Sequence, residues 1–196
     1  MTFNSKNMKK KVWIETFSGK IFHPFSPSLD SIDIVDIAHS LSMQCRFNGH
    51  CKRFYSVAEH SLNTTLYFEE NYKNASLLSL LALLHDASEA YLSDIPRPIK
   101  PFIHNYISAE RKLTYSIFAK FAQYQPSKSE WNMIMKADNA MLYMEALQLT
   151  STKGKNWDLP EKPILNIKIN CYTSAYAKKK FLDKFFELQT KIKKSM

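Results

Sequence analysis

The sequence predicts an all-α domain that opens with one small β-hairpin, and three observations carry that prediction. Apolar residues recur at helical spacing through most of the chain beyond about residue 30. Two Ser-x-x-Glu capping boxes, Ser56 to Glu59 and Ser127 to Glu130, mark helix starts. With 3 Gly among 196 residues there is little material for glycine loops, while 45% hydrophobic and 13% aromatic residues suffice for one core.

Taken in order, residues 12–25 (VWIETFSGKIFHPF) alternate around Ser18-Gly19 and predict the hairpin. Pro24 and Pro27 then break regular structure. A helix is expected from about Ser31 to Phe47, where Ile34, Ile37, Ala38, Leu41 and Cys45 recur at helical spacing. The capping boxes predict helices at about 57–72 and 128–149. Ser76 is expected to cap a helix running to about Leu92, ended by the Pro96–Pro101 cluster. A helix at about 103–123 follows, then a looser stretch, 151–170, with Pro160 and Pro163. Thr173 or Ser174 starts a final amphipathic helix with Ala177, Phe181, Phe185 and Leu188 on one face. No repeat or composition break marks a second domain, so one domain over 12–190 is expected between basic ends at 1–11 and 191–196.

Composition excludes several function classes. The longest apolar run, Leu77 to Leu84 interrupted by Ser79, is far short of the roughly 20 residues of a membrane span. The start MTFNSKNMKKK has no apolar stretch after it, and three cysteines without paired spacing fit reduced thiols, so a cytoplasmic protein is expected. The net charge of +9 sits at the ends: four Lys and no acid in 1–11, seven Lys against Asp183 and Glu187 in 178–196. The middle is neutral, so solubility explains the charge and nucleic-acid binding is not expected as a primary role.

The chemistry concentrates in LLSLLALLHDASEAYLSDIP. A helix apolar nearly all round should run through the core, yet it delivers His85, Asp86 and Glu89 at its far end. A carboxylate at the end of a buried helix is costly unless compensated, and a divalent metal is a natural compensator. A surfaced helix end in water is the competing reading for His-Asp alone. Two further residues shift the balance. His60 lies one turn into the preceding capped helix. Asp138 falls on the stripe Ile134, Asp138, Met141, Glu145 and looks inward. Two imidazoles and two carboxylates suit one Mn, Co, Fe, Ni or Zn ion, with positions left for water and substrate.

The order His, His-Asp, Asp on successive helices resembles the HD-domain metal phosphohydrolases. More narrowly, RFYSVAEHS, LLHDASEAYLSDIPRPIK and KADNAMLYMEA resemble the bacterial HD-domain 5′-deoxynucleotidases (YfbR-like) and related phage nucleotide phosphohydrolases, among them a dATP triphosphohydrolase. DIAHSLSMQCRFNGH and WIETFSGKIFHP match the phage group, and the resemblance covers about residues 13–188. It implies an HD-type helical bundle in which His60, His85, Asp86 and Asp138 hold one metal ion. It further implies that Glu89 is the catalytic carboxylate and Asp94 a second acid, which either orients Glu89 or caps the turn into Pro96. Arg46 stands 14 residues before His60, close to the family's Arg-Trp element, and arginine, bidentate and always charged, suits a phosphate clamp. Phe47 stands where the deoxynucleotidases have Trp, a departure that removes the indole's bulk and N–H from the sugar site.

Lower-ranked candidates are His39, which either faces the site or is a hydrogen-bonded core histidine, and His50 and Lys100, in loops from which they either reach phosphates or lie at the surface. A Cys45-x5-Cys51 zinc site with His50 is disfavoured, because Cys45 falls on an apolar stripe. The Met-rich run Met133, Met135, Met141, Met144 reads as core.

The resemblance implies a hydrolase acting on (deoxy)nucleoside 5′-phosphates through metal-activated water, foremost a 5′-deoxynucleotidase on monophosphates. A triphosphohydrolase releasing tripolyphosphate is the alternative, and a non-catalytic nucleotide-sensing module a further one. An alarmone hydrolase is disfavoured because Ala90, not Asp, follows Glu89. The expected partner is a small nucleotide, without membrane, in a homo-oligomer.

Overall fold

The computed structural model of the chain describes residues 12–159 and 167–195; the basic segment 1–11, the loop prolines Pro160 and Pro163, and Met196 lie outside them. Among the described residues the fold is mostly α, with seven α-helices and one two-stranded hairpin. Strands β1 (Ile14–Glu15) and β2 (Ile21–Phe22) pair antiparallel, with Ile14 opposite Phe22 and Glu15 opposite Ile21. Gly19, at φ +78, supplies the left-handed turn residue that the hairpin requires.

Helix α1 (Ile34–Met43) is capped by Asp33, whose side chain accepts from the Val35 N–H. The hairpin is clipped onto it: the Ser18 N–H and hydroxyl donate to the two Asp36 carboxylate oxygens at 2.7 and 2.8 Å. The expected helix from Ser31 to Phe47 is shorter than its periodicity suggests. It ends at Met43, and residues 46–49 form a separate short turn in which Phe47 and Asn48 have positive φ. Arg46 and Phe47 are therefore carried by a loop.

Helix α2 (Val57–Asn71) is the central element, packed against α1, α3, α6 and α7. Ser56 caps it by accepting from the Glu59 N–H. Glu59 does not complete the predicted box. Its carboxyl accepts instead from the backbone N–H groups of Asn170, Cys171 and Tyr172, and so ties the approach to the last helix onto α2. Helix α3 (Ser76–Leu83) follows, with Leu80–Leu84 wholly buried. The predicted helix to Leu92 is broken: α3 stops at Leu83, residues 84–88 turn, and a four-residue helix α4 (Glu89–Leu92) resumes.

Helices α5 (Tyr106–Phe121), α6 (Lys128–Leu149) and α7 (Ser174–Ser195) complete the bundle. At α6 the capping box is fully formed, and the helix coincides with its predicted span. On α7 the predicted stripe Ala177, Phe181, Phe185 and Leu188 is buried against α1, α2 and α3, so this face serves the core. Several α7 lysines are paired, among them Lys184 with Glu69 and Lys179 with Asp183. Among the described residues no helix is long and apolar enough to cross a membrane.

Candidate metal centre

The break after α3 has a local cause. The His85 ring folds back so that Nδ1 lies 2.8 Å from the Ala82 carbonyl, one of the oxygens that a helix C-terminus leaves without a partner. Through the turn, N–H groups reach only three residues back: Ala87 to Leu84 and Glu89 to Asp86, each at 3.0 Å. At about three residues per turn, His85 and Glu89 stand about 120° apart instead of the roughly 40° of an α-helix. The turn thus separates Glu89 from the face that His85 presents.

His60 comes from α2, His85 and Asp86 from the turn, and Asp138 from α6. His60 Nε2 lies 3.4 Å from His85 Nε2, 3.4 Å from Asp86 Oδ2 and 3.2 Å from Asp138 Oδ1. His85 Nε2 lies 3.2 Å from Asp86 Oδ2 and 3.8 Å from Asp138 Oδ1. A four-coordinate ion with ligands at about 2.0–2.1 Å sets those ligand atoms about 3.3 Å apart, close to this spacing. His60, His85 and Asp86 thus form a group that could hold a metal ion, and Asp138 borders it.

The surrounding groups fix which nitrogen each imidazole presents. The Ala82 carbonyl can only accept, so His85 Nδ1 carries a hydrogen. Glu145, wholly buried on α6, takes His60 Nδ1 at 2.6 Å. Burial opposes charge on Glu145, but Arg46 and His60 outweigh it and hold the carboxyl below its usual range, so it accepts from Nδ1–H. Both Nε2 lone pairs therefore face the carboxylate oxygens. Acceptors facing acceptors in a buried place call for a proton or a cation between them.

The charge balance says the same. Burial works against a charged His85, yet Asp86 and Asp138 raise its pKa to about 9. Burial and Arg46 oppose charge on His60, and Glu145, Asp138 and Asp86 still lift it well above the ordinary value. Asp86 and Asp138 are held low against burial by the two histidines. The cluster takes up positive charge, as a metal site must.

Arg46, 9% exposed, donates through Nε to Glu145 Oε2 at 3.2 Å, with Nη2 at 3.1 Å, while Nη1 points toward Asp86 Oδ2 at 3.6 Å. Phe47 is half-buried, with its ring 5.5 Å from the Arg46 guanidinium and 5.7 Å from the Trp157 ring. Glu89 is 2% exposed; Lys100 Nζ donates to its Oε1 at 3.1 Å and to Glu110 Oε1 at 2.6 Å. Glu89 Oε2 is buried without a hydrogen-bond partner. Burial, then Asp86 and Asp94, push the Glu89 carboxyl well above the usual range, against Lys100 and Arg46. Burial likewise raises Asp94. Among the described residues its carboxylate makes no hydrogen bond to Glu89 or to the turn; its backbone N–H donates to Gln44 Oε1 at 2.9 Å.

His39 stands apart from the cluster. Its ring stacks on Phe17 at 3.8 Å, in a groove of about 600 Å³ lined by the hairpin, α1, Gln44 and the Ala90–Tyr91 stretch of α4. His50 is exposed. Two partners of the cluster escape sequence reasoning. Glu145 lies on the same α6 stripe as Asp138, and that stripe is the signal that could have found it. Arg97, in the SDIPRP segment, donates to Asp138 Oδ2 and to Asn139 Oδ1, each at 2.9 Å.

Fold and site together define a mostly helical protein with a small β-hairpin, built around a buried His-His-Asp group that could hold a metal ion. No family model matches the chain. It is 38% identical over 149 residues to "Uncharacterized protein YfdR" of Escherichia coli, covering 76% of this chain and 79% of that protein. It is 36% identical over 116 residues to "Uncharacterized protein RCAP_rcc00048" of Rhodobacter capsulatus, covering 57% of this chain and 59% of that protein. The chain belongs to the family of YfdR.

Proposed function

We propose that the chain is an HD-type metal-dependent phosphohydrolase that removes phosphate from (deoxy)nucleoside 5′-phosphates, foremost as a 5′-deoxynucleotidase on monophosphates. One observation carries the reading: two imidazoles with their Nδ1 hydrogens already engaged turn both Nε2 atoms onto Asp86 and Asp138 at 3.2–3.8 Å. The donor set of nitrogen and carboxylate oxygen suits a first-row ion such as Mn, Co, Fe, Ni or Zn.

When bound, the ion would polarise a phosphoryl oxygen and acidify water. The chain's own groups do the rest. Arg46 is locked by Glu145 through Nε and Nη2, which leaves Nη1 turned toward the cluster to bind a phosphate oxygen. Glu89 keeps Oε1 on Lys100, so the unpartnered Oε2 is the atom that exchanges a proton with water or leaving oxygen. Burial, with Asp86 and Asp94 nearby, raises its pKa above the ordinary carboxyl range and so favours the protonated form that can donate. Phe47 and Trp157 offer an aromatic wall beside Arg46 for sugar or base. Asp94, close to Arg46 in charge though not hydrogen-bonded, adds negative potential on the Glu89 side.

The test is phosphate release from a panel of nucleoside and deoxynucleoside mono- and triphosphates by metal-stripped protein re-supplied with Mn, Co or Zn. Nucleoside product from monophosphates supports the reading; tripolyphosphate from triphosphates replaces it with a triphosphohydrolase. No cleavage with any metal leaves a nucleotide-sensing module. Asp138→Ala should lose bound metal and turnover together, whereas Glu89→Ala should keep the metal and lose turnover. Unchanged metal content and turnover in Asp138→Ala would sink the site assignment.

A further inference from the structure

Outside the cluster, the chain brings two thiols together beside it. Cys45 and Cys51 are both reduced and half-buried, with their sulfurs 3.5 Å apart. A disulfide needs about 2.05 Å, so the sulfurs must approach by roughly 1.5 Å, within reach of side-chain rotation. They flank Arg46 and the three consecutive left-handed residues Phe47 (φ 58), Asn48 (φ 51) and Gly49 (φ 78). Left-handed backbone at a bulky Phe is strained, and it persists here because the loop is pinned at both ends. Arg46 N–H donates to the Tyr55 carbonyl and Lys52 N–H to the Leu149 carbonyl, each at 2.9 Å. The Cys51 thiol also donates to the Arg46 carbonyl at 3.8 Å.

We infer that Cys45 and Cys51 are a reversible disulfide site, oxidised by a peroxide, that regulates the neighbouring centre by moving Arg46. Its regulatory half rests on the phosphohydrolase reading; the disulfide itself does not. Burial, then the Cys45 sulfur, push the Cys51 thiol up to about 11, so Cys51 keeps its hydrogen and is assigned the resolving step. The Cys45 sulfur attacks the peroxide, the O–O bond breaks, and Cys45 becomes a sulfenic acid as one hydroxide leaves and is protonated to water. The Cys51 sulfur then displaces the second hydroxide, forming the S–S bond. In sum two thiols lose two electrons and two protons, and one hydrogen peroxide becomes two waters. The bond removes the S–H donor from the Arg46 carbonyl and draws the loop ends together. That displaces a guanidinium whose useful nitrogen lies 3.6 Å from Asp86.

The experiment treats the whole protein with hydrogen peroxide, quenches with catalase, and maps thiols by mass spectrometry. Titratable thiols should fall from three to one, with the Cys45 and Cys51 peptides linked and Cys171 unmodified. Dithiothreitol should restore three. Affinity for inorganic phosphate in the metal-loaded protein should fall at least about fivefold on oxidation, an order that a displaced charged hydrogen bond accounts for. Cys51→Ser protein should form no disulfide under peroxide, its oxidation leaving a sulfenic acid on Cys45 with no resolving thiol. Three thiols surviving peroxide, a link to Cys171, or sulfinic acid at Cys45 would overturn the disulfide. A disulfide that leaves phosphate affinity unchanged would overturn its regulatory role. Reduced protein that neither binds phosphate nor cleaves any nucleotide would overturn the phosphohydrolase reading and the regulatory role with it, while the thiol map still decides the disulfide.

Discussion

Replacing Glu145 by Ala tests the network that holds the centre. Glu145 is wholly buried and accepts from His60 Nδ1 at 2.6 Å, from Tyr55 at 2.9 Å and from Arg46 at 3.1–3.2 Å. Its removal leaves Arg46, 9% exposed, without its principal counter-charge. Breaking a buried pair in this way costs about 3–5 kcal/mol. For a chain of 196 residues, each kcal/mol moves the melting temperature about 2–4 °C, so a fall of about 6–20 °C is expected in metal-stripped protein. Losing the acceptor that fixes a metal-binding histidine costs about 10–100-fold in metal affinity. Thermal unfolding of the stripped protein and calorimetric titration with Mn or Zn measure the two effects separately. A variant with unchanged melting temperature and unchanged metal affinity would refute the argument that Glu145 organises both His60 and Arg46. Glu145→Gln should fall between, because the amide keeps one acceptor but turns its NH2 onto two donors, either His60 and Tyr55 or the Arg46 Nε and Nη2.

Glu89→Gln should change the pH dependence of stability. Glu89 has a folded pKa above its unfolded value, so the fold favours the protonated carboxyl; that contribution is complete below about 4.5 and is lost as pH rises through the folded value. The amide cannot ionise, so its advantage over Glu should widen from pH 5 to pH 9 in urea unfolding, and parallel curves would contradict the buried-acid reading. Gly154→Ala should destabilise by about 2–4 kcal/mol, combining the left-handed penalty with overpacking. Gly154 has φ +70, and a Cβ there would meet the Leu159 Cδ1 at 2.9 Å and the Ala146 Cβ at 3.0 Å. Gly49→Ala, at φ +78 with open space around the Cβ, should cost only about 1–2 kcal/mol, and equal melting temperatures for the two variants would count against the crowding.

How far the sequence carries depends on the range of the cause. Helix α6 is legible to the residue because its signals are local: Ser127 and Glu130 cap each other across three residues. The stripe on α7 is equally local. The helix from Ser76 to Leu92 was legible in composition but not in continuity: the contact that breaks it, the His85 ring on the Ala82 carbonyl, is also local, but it is a side-chain rotamer that periodicity does not record. The end of α1 at Met43 escapes for another reason: apolar spacing continues to Cys45, but Arg46 is drawn away by pairing with the Tyr55 backbone.

The same division runs through the site. Buried polar residues on apolar stripes pointed to His60, His85, Asp86 and Asp138, since an uncompensated charge in a core is costly wherever the core lies. Their mutual distances, the hydrogens on the two Nδ1 atoms and the part played by Glu145 depend on contacts spanning up to 99 residues of sequence. Periodicity records which face of a helix is buried; it holds nothing about which buried face meets which. That choice was made by the packing of α2 against α3 and α6, which brought four acceptors together and set Arg46 and two thiols beside them.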